Sequence, residues 1–139
     1  MNEKILISKP PYNLKRIFAK VCMTIAQLSL LPSGWGYACL KYGGIKFKGK
    51  CFIGSQVLFD GLYLNLIEIG EGCIITSGTH ILSHFFNTKD RRFYVGKVVI
   101  GKNVFIGMNT LIVNAVNIGD NSIMGAGSII NKDIPAGEI

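Results

Sequence analysis

His80 and His84 are the only imidazole side chains in this sequence of 139 residues. An imidazole can take a proton from a hydroxyl near neutral pH, because its unperturbed pKa is about 6.5. The H-x-x-x-H spacing would put both rings on one side of an extended strand, as a shared metal would require. Catalytic zinc usually takes three protein ligands, and no convincing third candidate accompanies the pair. We therefore expect no metal, and the residue types alone leave His84 open between a base and a structural histidine.

The four cysteines indicate a reduced protein. They are Cys22, Cys39, Cys51 and Cys73, with no C-x-x-C pair and no recognisable signal peptide before them. This usage is typical of a cytoplasmic protein whose thiols are buried or inert. Cys51 and Cys73 also fall near inward positions of the repeat described next, which favours packing over catalysis.

A six-residue repeat over residues 100–135 dictates the elements that must position these side chains. It reads IGKNVF, IGMNTL, IVNAVN, IGDNSI, MGAGSI and INKDIP. The first position is always Ile or Met, the fifth is mostly small or β-branched, and Gly, Asn and Asp fill much of the rest. A fixed short period predicts stacked coils, in which each unit is a short strand whose first residue points inward. Gly and Asn suit the turns because they tolerate positive φ. A β-meander is the alternative, but its strands usually run longer and vary in spacing.

The repeat also extends towards the N-terminus, with two interruptions. FKGKCF, IGSQVL and FDGLYL begin at residue 47, and IGEGCI, ITSGTH and ILSHFF begin at residue 69 after a slip of four over 65–68. Residues 85–97 have no repeat and carry four basic residues, so we expect a projecting loop there. Glu68 and Glu71 fit exposed turn positions.

The first part of the chain predicts one amphipathic helix. Over residues 12–31, apolar side chains recur at helical spacing: Leu14, Ile17, Phe18, Val21, Ile25 and Leu28. Asn13 suits the N-cap and Pro32 the end, and residues 33–44 read as a lead-in. Lys15, Arg16, Lys20 and Gln27 interrupt the segment too often for a membrane span. The preferred interpretation is packing on the β-structure, and the alternative is contact with an anionic membrane surface.

Charge is uneven along the chain. The formal net charge is +7, and nine of the fifteen Lys and Arg lie in residues 1–50 against one acid, Glu3. A basic flank suits an anionic neighbour, such as a membrane surface, a phosphate-bearing ligand or nucleic acid. Nucleic-acid binding would call for aromatic and basic residues interleaved on one face, and residues 46–52 have only a faint form of that pattern. We expect no nucleic-acid partner.

The repeat and the segment MGAGSIINKDIPAGEI resemble the hexapeptide-repeat acyltransferases, sugar and polysaccharide O-acetyltransferases above all. The resemblance covers about residues 41–139. It implies an all-β fold, a left-handed parallel β-helix with three hexads per coil, over residues 45–139, with a short N-terminal helix and lead-in over 1–44. It further implies acetyl-CoA as cosubstrate and a homotrimer with sites between subunits. In the family a short segment that helps hold the CoA nucleotide usually follows the position of IPAGEI, the last residues of this sequence.

The same resemblance assigns roles to individual residues. ILSH is similar to the family's I-L-T-H-like sequence, which implies that His84 is the base that takes the proton of an acceptor hydroxyl. It also implies that Asp60 orients that imidazole or contacts the acceptor; the alternative is an Asx-turn. The positions that contact the cofactor in such enzymes are matched by Met108, Ala126, Asn131 and Lys132, with Met108 in place of a small residue. Gly125 is a further candidate, because the small residues at 125–127 would let pantetheine approach the backbone. The alternative for all of them is a role in turns and coil packing. Apart from the resemblance, His80 is a candidate for lining the acceptor site, with a turn position as the alternative. Arg91 and Arg92 are candidates for facing an anionic acceptor or CoA, with plain solvation as the alternative.

The resulting expectation is an acetyl-CoA-dependent O-acetyltransferase acting on a sugar hydroxyl in capsule, lipopolysaccharide or exopolysaccharide assembly. Its location would be cytoplasmic, with peripheral membrane contact through residues 12–31 as an option. Three alternatives stay open. A serine O-acetyltransferase would usually have a longer helical N-terminal domain, an amino-sugar N-acetyltransferase would use the same chemistry, and a non-catalytic β-helix would serve as a scaffold.

Overall fold

The computed structural model describes residues 5–6, 14–27 and 35–139. Within these ranges the chain forms two α-helices, one 3₁₀ turn and fifteen short strands. The helices are α1 (Leu14–Gln27) and α2 (Trp35–Gly43), and the 3₁₀ turn is Leu64–Leu66. The strands are β1 (Ile5–Leu6), β2 (Lys46–Phe47), β3 (Phe52–Ile53), β4 (Leu58–Phe59), β5 (Ile67–Ile69), β6 (Ile74–Ile75), β7 (His80–Ile81), β8 (His84–Asn87), β9 (Arg92–Val95), β10 (Val98–Ile100), β11 (Phe105–Ile106), β12 (Leu111–Ile112), β13 (Asn117–Ile118), β14 (Ile123–Met124) and β15 (Ile129–Ile130).

Twelve of these strands build a parallel β-helix of four coils. Sheet 1 holds β2, β5, β10 and β13; sheet 2 holds β3, β6, β11 and β14; sheet 3 holds β4, β7, β12 and β15. Every pair within these three sheets is parallel. Each coil therefore contributes one strand to each sheet, as the hexads predict.

The core is a stack of the predicted inward residues. The first residue of each hexad is buried or packed against the core in all four coils: Phe47, Ile53, Phe59, Ile69, Ile75, Ile81, Ile100, Ile106, Ile112, Ile118, Met124 and Ile130. The fifth residue also turns inward, as Cys73, Val104 and Thr110 illustrate. The buried hydroxyl of Thr110 donates to the carbonyl oxygen of Gly107 at 2.7 Å, which offsets the cost of burying it. The inward packing of Cys73 agrees with its predicted structural role.

Turn geometry falls on a fixed position of the hexad. Asn103, Asn109 and Asn121 occupy the fourth position with φ between 53° and 59°. Gly127 occupies the same position in the next unit with φ 74°. The second-position glycines serve a different purpose, because a Cβ on Gly107 would collide with the backbone of Ala126 in the adjacent coil. Positive φ therefore explains Asn and Gly at the fourth position, and close stacking of coils explains Gly at a second position such as 107.

Both interruptions of the repeat lie at the corner between sheet 3 and sheet 1. The slip of four becomes the 3₁₀ turn Leu64–Leu66. The expected loop at 85–97 is instead a β-hairpin of β8 and β9, paired antiparallel from His84 with Val95 to Asn87 with Arg92. β1 extends this hairpin as a third antiparallel strand. Aromatic pairs across the two strands, Phe85 with Tyr94 and Phe86 with Phe93, favour this hairpin, and the six-residue period does not reveal them.

The N-terminal part has more structure than predicted. Residues 33–44 contain α2 where a lead-in was expected, and α2 packs on α1. The predicted helix ends at Asn13 and Pro32 and the apolar position Leu28 lie outside the described residues, as do residues 1–4 and 7–12. The apolar stripe of α1 does not pack on the β-helix: Leu14, Ile17, Phe18, Val21 and Ile25 are exposed, whereas Ala19 is fully buried.

Glu68 also departs from expectation. It lies half-buried in the middle of β5, in an outward position, and pairs with Lys48 at 2.9 Å and Lys97 at 2.7 Å. Hydrogen bonds from Lys48 and Lys97 lower the pKa of this carboxyl to about 2. Glu71 is exposed, as predicted.

Candidate functional site

His84 and Asp60 meet at the corner between sheet 3 and sheet 1. Asp60 follows β4 directly, and His84 opens β8 one coil further on. Nδ1 of His84 lies 2.6 Å from Oδ2 of Asp60. The Asp60 side chain is fully buried, whereas 32% of the His84 side chain is exposed. When the carboxylate accepts a hydrogen bond from Nδ1–H, the lone pair of Nε2 can accept a proton from a group that approaches from solvent.

The Asp60 carboxylate is held by three further hydrogen bonds. Oδ2 accepts the hydroxyl of Ser83 at 2.7 Å and its N–H at 3.1 Å, and Oδ1 accepts the N–H of Leu62 at 2.9 Å. Burial by itself would raise the pKa of Asp60, but the hydrogen bonds from His84, Leu62 and Ser83 outweigh it, and the pKa lies below its usual value. Asp60 is therefore an anion at neutral pH, and it fixes both the ring and its tautomer.

Two neighbours of the pair were not identified from the sequence. Ser83 is fully buried and donates to the same oxygen as His84. The Tyr63 ring lies with its centroid 6.4 Å from that of His84. The only sequence signal for Ser83 was a small hydroxyl residue immediately before His84. Tyr63 gave none, because it is the fifth residue of the hexad FDGLYL, a position that the repeat assigns to packing.

The candidate cofactor residues occupy two corners of the later coils. Met108, Gly125 and Ala126 share the corner between sheets 2 and 3, where the N–H of Gly127 donates to the Met108 carbonyl at 2.7 Å. All three side-chain positions are exposed. A Cβ on Gly125 would meet nothing nearer than the Ser128 hydroxyl at 3.8 Å, so the fold itself does not require glycine there. The small residue leaves open space against the backbone.

Asn131 and Lys132 lie at the His84 corner. Ile81, Ile112 and Ile130 are in register in sheet 3, so Lys132 stands two coils from Ser83. With parallel strands about 4.8 Å apart, that offset is roughly 10 Å along the helix. Asn131 and Lys132 are exposed, and the Asn131 carbonyl accepts from the side chain of Asn114 at 3.2 Å. An exposed cation thus stands within reach of a ligand that extends from the imidazole.

The candidate acceptor-binding residues are divided between two places. His80 points outward from β7, in register with Leu58 and Leu111, and so lies on the face of sheet 3 between the two corners. Arg91 and Arg92 are exposed at the tip of the hairpin, and Arg92 pairs with Asn87, three residues beyond His84. At about 3.4 Å per residue, this puts the arginines roughly 10 Å from His84 along the hairpin. The single chain brings His80 near the corners and keeps the arginines apart from them.

Among the described residues, no group of three or more His, Cys, Asp or Glu side chains is arranged to hold a metal ion.

The chain is similar to known acetyltransferases. A family model for bacterial transferase hexapeptide, with six repeats, matches residues 97–132. The proposed acetyltransferase YvoF of Bacillus subtilis strain 168 is 40% identical over 82 residues, which are 59% of this chain and 46% of YvoF. The chain thus spans about half the length of that relative.

Two solved structures share the architecture. A galactoside acetyltransferase in complex with coenzyme A superposes with a TM-score of 0.67 at 27% identity, over 88% of this chain and 73% of that one. A maltose O-acetyltransferase from Clostridium difficile 630 superposes with a TM-score of 0.65 at 20% identity, over 88% and 78% of the two chains. These matches confirm the predicted all-β fold, a left-handed parallel β-helix.

Proposed function

We propose that this chain, a hexapeptide-repeat protein with the left-handed β-helix of the acetyltransferases, transfers an acetyl group from acetyl-CoA to a hydroxyl of a saccharide. The observation that carries the proposal is the contact of 2.6 Å between Nδ1 of a half-exposed His84 and Oδ2 of a buried Asp60. A non-catalytic scaffold has no need of a buried carboxylate aimed at an accessible imidazole.

His84 acts as the general base in this proposal. Nε2 takes the proton of the acceptor hydroxyl while its oxygen forms a bond to the acetyl carbon, because a neutral alcohol is a poor nucleophile at neutral pH. In the neutral form of His84, Asp60 keeps the ring proton on Nδ1. After proton transfer, Asp60 stabilises the cationic ring. The proton on Nε2 then goes to the thiolate sulfur as the carbon–sulfur bond breaks. The cosubstrate supplies the activated thioester, and no covalent enzyme intermediate is required.

Exposed residues on the later coils fit acetyl-CoA. Gly125 and Ala126 leave room for the pantetheine arm against the backbone, and Asn131 offers polar groups at the neighbouring corner. Lys132 is an exposed cation that would pair with a phosphate as a point charge. Support comes from the galactoside acetyltransferase, whose structure contains coenzyme A. Met108 flanks the same surface, and His80 lies between the two corners, where it would contact the acceptor.

The outward face of sheet 2 supports a homotrimer. Phe52, Ile74, Phe105 and Ile123 stack in register there and are 39–59% exposed. Monomeric proteins seldom leave a contiguous apolar strip of this kind in water. In the proposed assembly the sites lie between subunits, and Arg91 and Arg92 are candidates for facing the site of a neighbouring copy. This assembly belongs to the proposal.

The acceptor we propose is a sugar of a surface polysaccharide, modified in the cytoplasm before export. The named sugars of the two structural neighbours, a galactoside and maltose, support a saccharide as the chemical class. The basic hairpin tip would favour an acidic saccharide. An amino-sugar or serine acceptor would use the same base, and the acceptor panel below includes both.

The decisive experiment measures the release of CoA thiol from acetyl-CoA with a panel of acidic and neutral saccharides, amino sugars and serine. His84→Ala should lower kcat about 10²–10⁴-fold, the usual contribution of a general base. His80→Ala should instead raise KM for the acceptor with a smaller effect on kcat. Turnover that is unchanged in His84→Ala, or no binding of acetyl-CoA by the wild type, would favour the scaffold. Activity restricted to amines or serine would reassign the acceptor.

A further inference from the structure

Helix α1 presents an apolar stripe to solvent. Leu14, Phe18, Val21 and Ile25 follow the helical repeat and fall on one side, with Ile17 beside them. These five side chains are 38–83% exposed. Isolated exposed apolar residues are ordinary, but a continuous stripe along a helix of 14 residues marks a surface that contacts something else.

The opposite side of α1 already has its partner within the chain. Ala19 is fully buried, and a Cβ on Gly43 of α2 would lie 2.9 Å from the Ala19 Cβ and 2.7 Å from Leu64. The glycine therefore permits a close approach that fixes α1 against α2 and the 3₁₀ turn. Because the helix is held by this contact, its stripe cannot turn inward without breaking it.

Basic side chains border the stripe. Lys15 and Lys20 are exposed and fall on opposite sides of it, and Lys41 is exposed on α2. The Lys15 ammonium lies 5.2 Å from the centroid of the Tyr42 ring, which meets Phe18 edge-on at 5.8 Å. Tyr42 is itself half exposed and widens the apolar surface. Lysines at the edges of an apolar face and an aromatic ring at its margin match the boundary of an anionic bilayer.

We propose that α1 and Tyr42 dock this protein on the surface of a membrane that contains anionic lipid. The stripe would enter the acyl boundary while Lys15, Lys20 and Lys41 contact lipid phosphates. Neither helix of the described residues has the length and apolar character that a membrane span requires.

Docking would bring the catalytic corner close to lipid. The Lys20 side chain lies beside Gly61, 3.6 Å from where a Cβ would be, and Gly61 directly follows Asp60. An acceptor sugar carried on a lipid would therefore meet His84 without leaving the membrane surface. This consequence depends on the proposed function, whereas the docking itself does not.

Flotation of the full chain with vesicles tests the docking. We compare vesicles of phosphatidylcholine alone with vesicles that also contain phosphatidylglycerol. The wild type should float with the anionic vesicles and be released in about 1 M salt, where the Debye length is about 3 Å. Ile17→Ser/Val21→Ser should weaken binding at least about tenfold, because it removes several methyl and methylene groups that would insert into the acyl boundary of the membrane. Both residues are exposed, so the fold should survive the change.

Matched variants complete the test. Ile129→Ser/Ile139→Ser removes two exposed isoleucines from the last coil and the chain end, and it should bind vesicles as the wild type does. Lys15→Gln/Lys20→Gln should lose the preference for anionic vesicles. Failure of the wild type to float, or equal flotation by Ile17→Ser/Val21→Ser, would overturn the proposal. A changed sedimentation coefficient of that variant with unchanged flotation would identify the stripe as an interface between copies.

Discussion

At the scale of single residues, the central feature is how one buried carboxylate stays charged. Burial alone opposes ionisation of Asp60, and four hydrogen bonds from His84, Ser83 and Leu62 compensate for it. Two of those bonds come from Ser83, the residue that precedes His84. The proposed base, His84, therefore directly follows the residue that holds its partner Asp60. If the proposed function holds, a change at Ser83 should act on catalysis through Asp60.

Ser83→Ala should lower kcat by roughly tenfold and leave KM for acetyl-CoA nearly unchanged. The lost hydroxyl removes one of the groups that hold Oδ2 of Asp60, and a positioning defect in the pair reduces the rate of proton transfer. The acid limb of the pH–rate profile should also shift, because the charge on Asp60 becomes less well stabilised. Steady-state kinetics across pH measure both effects.

The matched control is Ser128→Ala. Its hydroxyl donates at 2.7 Å to the carbonyl of Gly125, and it lies on another corner. This variant should retain the wild-type pH profile. Equal profiles for Ser83→Ala and the wild type would show that Ser83 only fills space.

Stability should fall as the pH drops below about 4. Asp60 and Glu68 have folded-state pKa values below the unfolded values of about 3.9 and 4.3, and for Glu68 the folded value is about 2. At a pH between the folded-state and unfolded-state pKa values, the unfolded chain binds more protons than the folded chain. The free energy of unfolding therefore rises with pH over this range and levels off above it. Both contributions are lost as the pH falls through the folded-state values.

Thermal unfolding followed by circular dichroism between pH about 5 and about 2.5 checks this slope. Glu68→Gln should flatten the slope relative to the wild type, while Glu71→Gln, an exposed acid with no ion pair among those described, should not. A wild-type slope retained in Glu68→Gln would mean that its pairs with Lys48 and Lys97 contribute nothing to folding.

At the scale of the elements, glycines at the same position of the hexad have different roles. Gly107 and Gly125 both occupy the second position of a hexad. A Cβ on Gly107 collides with the backbone of Ala126, because another coil is stacked on it. A Cβ on Gly125 meets only the Ser128 hydroxyl at 3.8 Å. The first glycine is required by packing, and the second is available for a ligand.

Gly107→Ala should therefore destabilise the protein by about 1–3 kcal/mol, as overpacking commonly does. Gly125→Ala should leave the melting temperature unchanged but raise KM for acetyl-CoA several-fold, because the added methyl would occupy the space that we assign to pantetheine. Urea unfolding and steady-state kinetics on the two variants separate the effects. Unchanged KM in Gly125→Ala would remove this corner from the cosubstrate site.

At the scale of the whole molecule, the outward rows of the sheets differ in chemistry. Sheet 1 presents Lys46, Glu68, Val99 and Asn117. Sheet 2 presents only Phe and Ile in the corresponding row. A β-helix buries its core by stacking, so such an exposed apolar row adds nothing to the core of one chain. It is the surface on which we expect the copies of the trimer to meet.

Phe105→Lys should dissociate the assembly, because it places a charge in the middle of the apolar row. Val99→Lys is its control, since it makes a similar change in the same coil but on the polar row beside Glu68. Sedimentation equilibrium should report a smaller mass for Phe105→Lys alone. A monomeric wild type, or an unaltered mass for Phe105→Lys, would exclude this surface as the interface.

The sequence by itself determined the solenoid. Each inward residue from Phe47 to Ile130 was identified by a six-residue period, since the period repeats the same local strand and turn. ILSH drew attention to His84, and the slip at 65–68 located an interruption. The wider functional assignment came from resemblance, because the periodic pattern carries no chemistry.

Only the tertiary structure decided the contacts between interrupted segments. It paired Asp60 with Ser83 and His84, turned residues 85–97 into a hairpin, formed α2, and joined Glu68 to Lys48 and Lys97. It also packed Ala19 of α1 against α2 and left the predicted apolar stripe of α1 exposed. A hydrophobic period reveals which face of an element is apolar, but whether that face meets the core, another subunit or a membrane depends on where the rest of the chain lies.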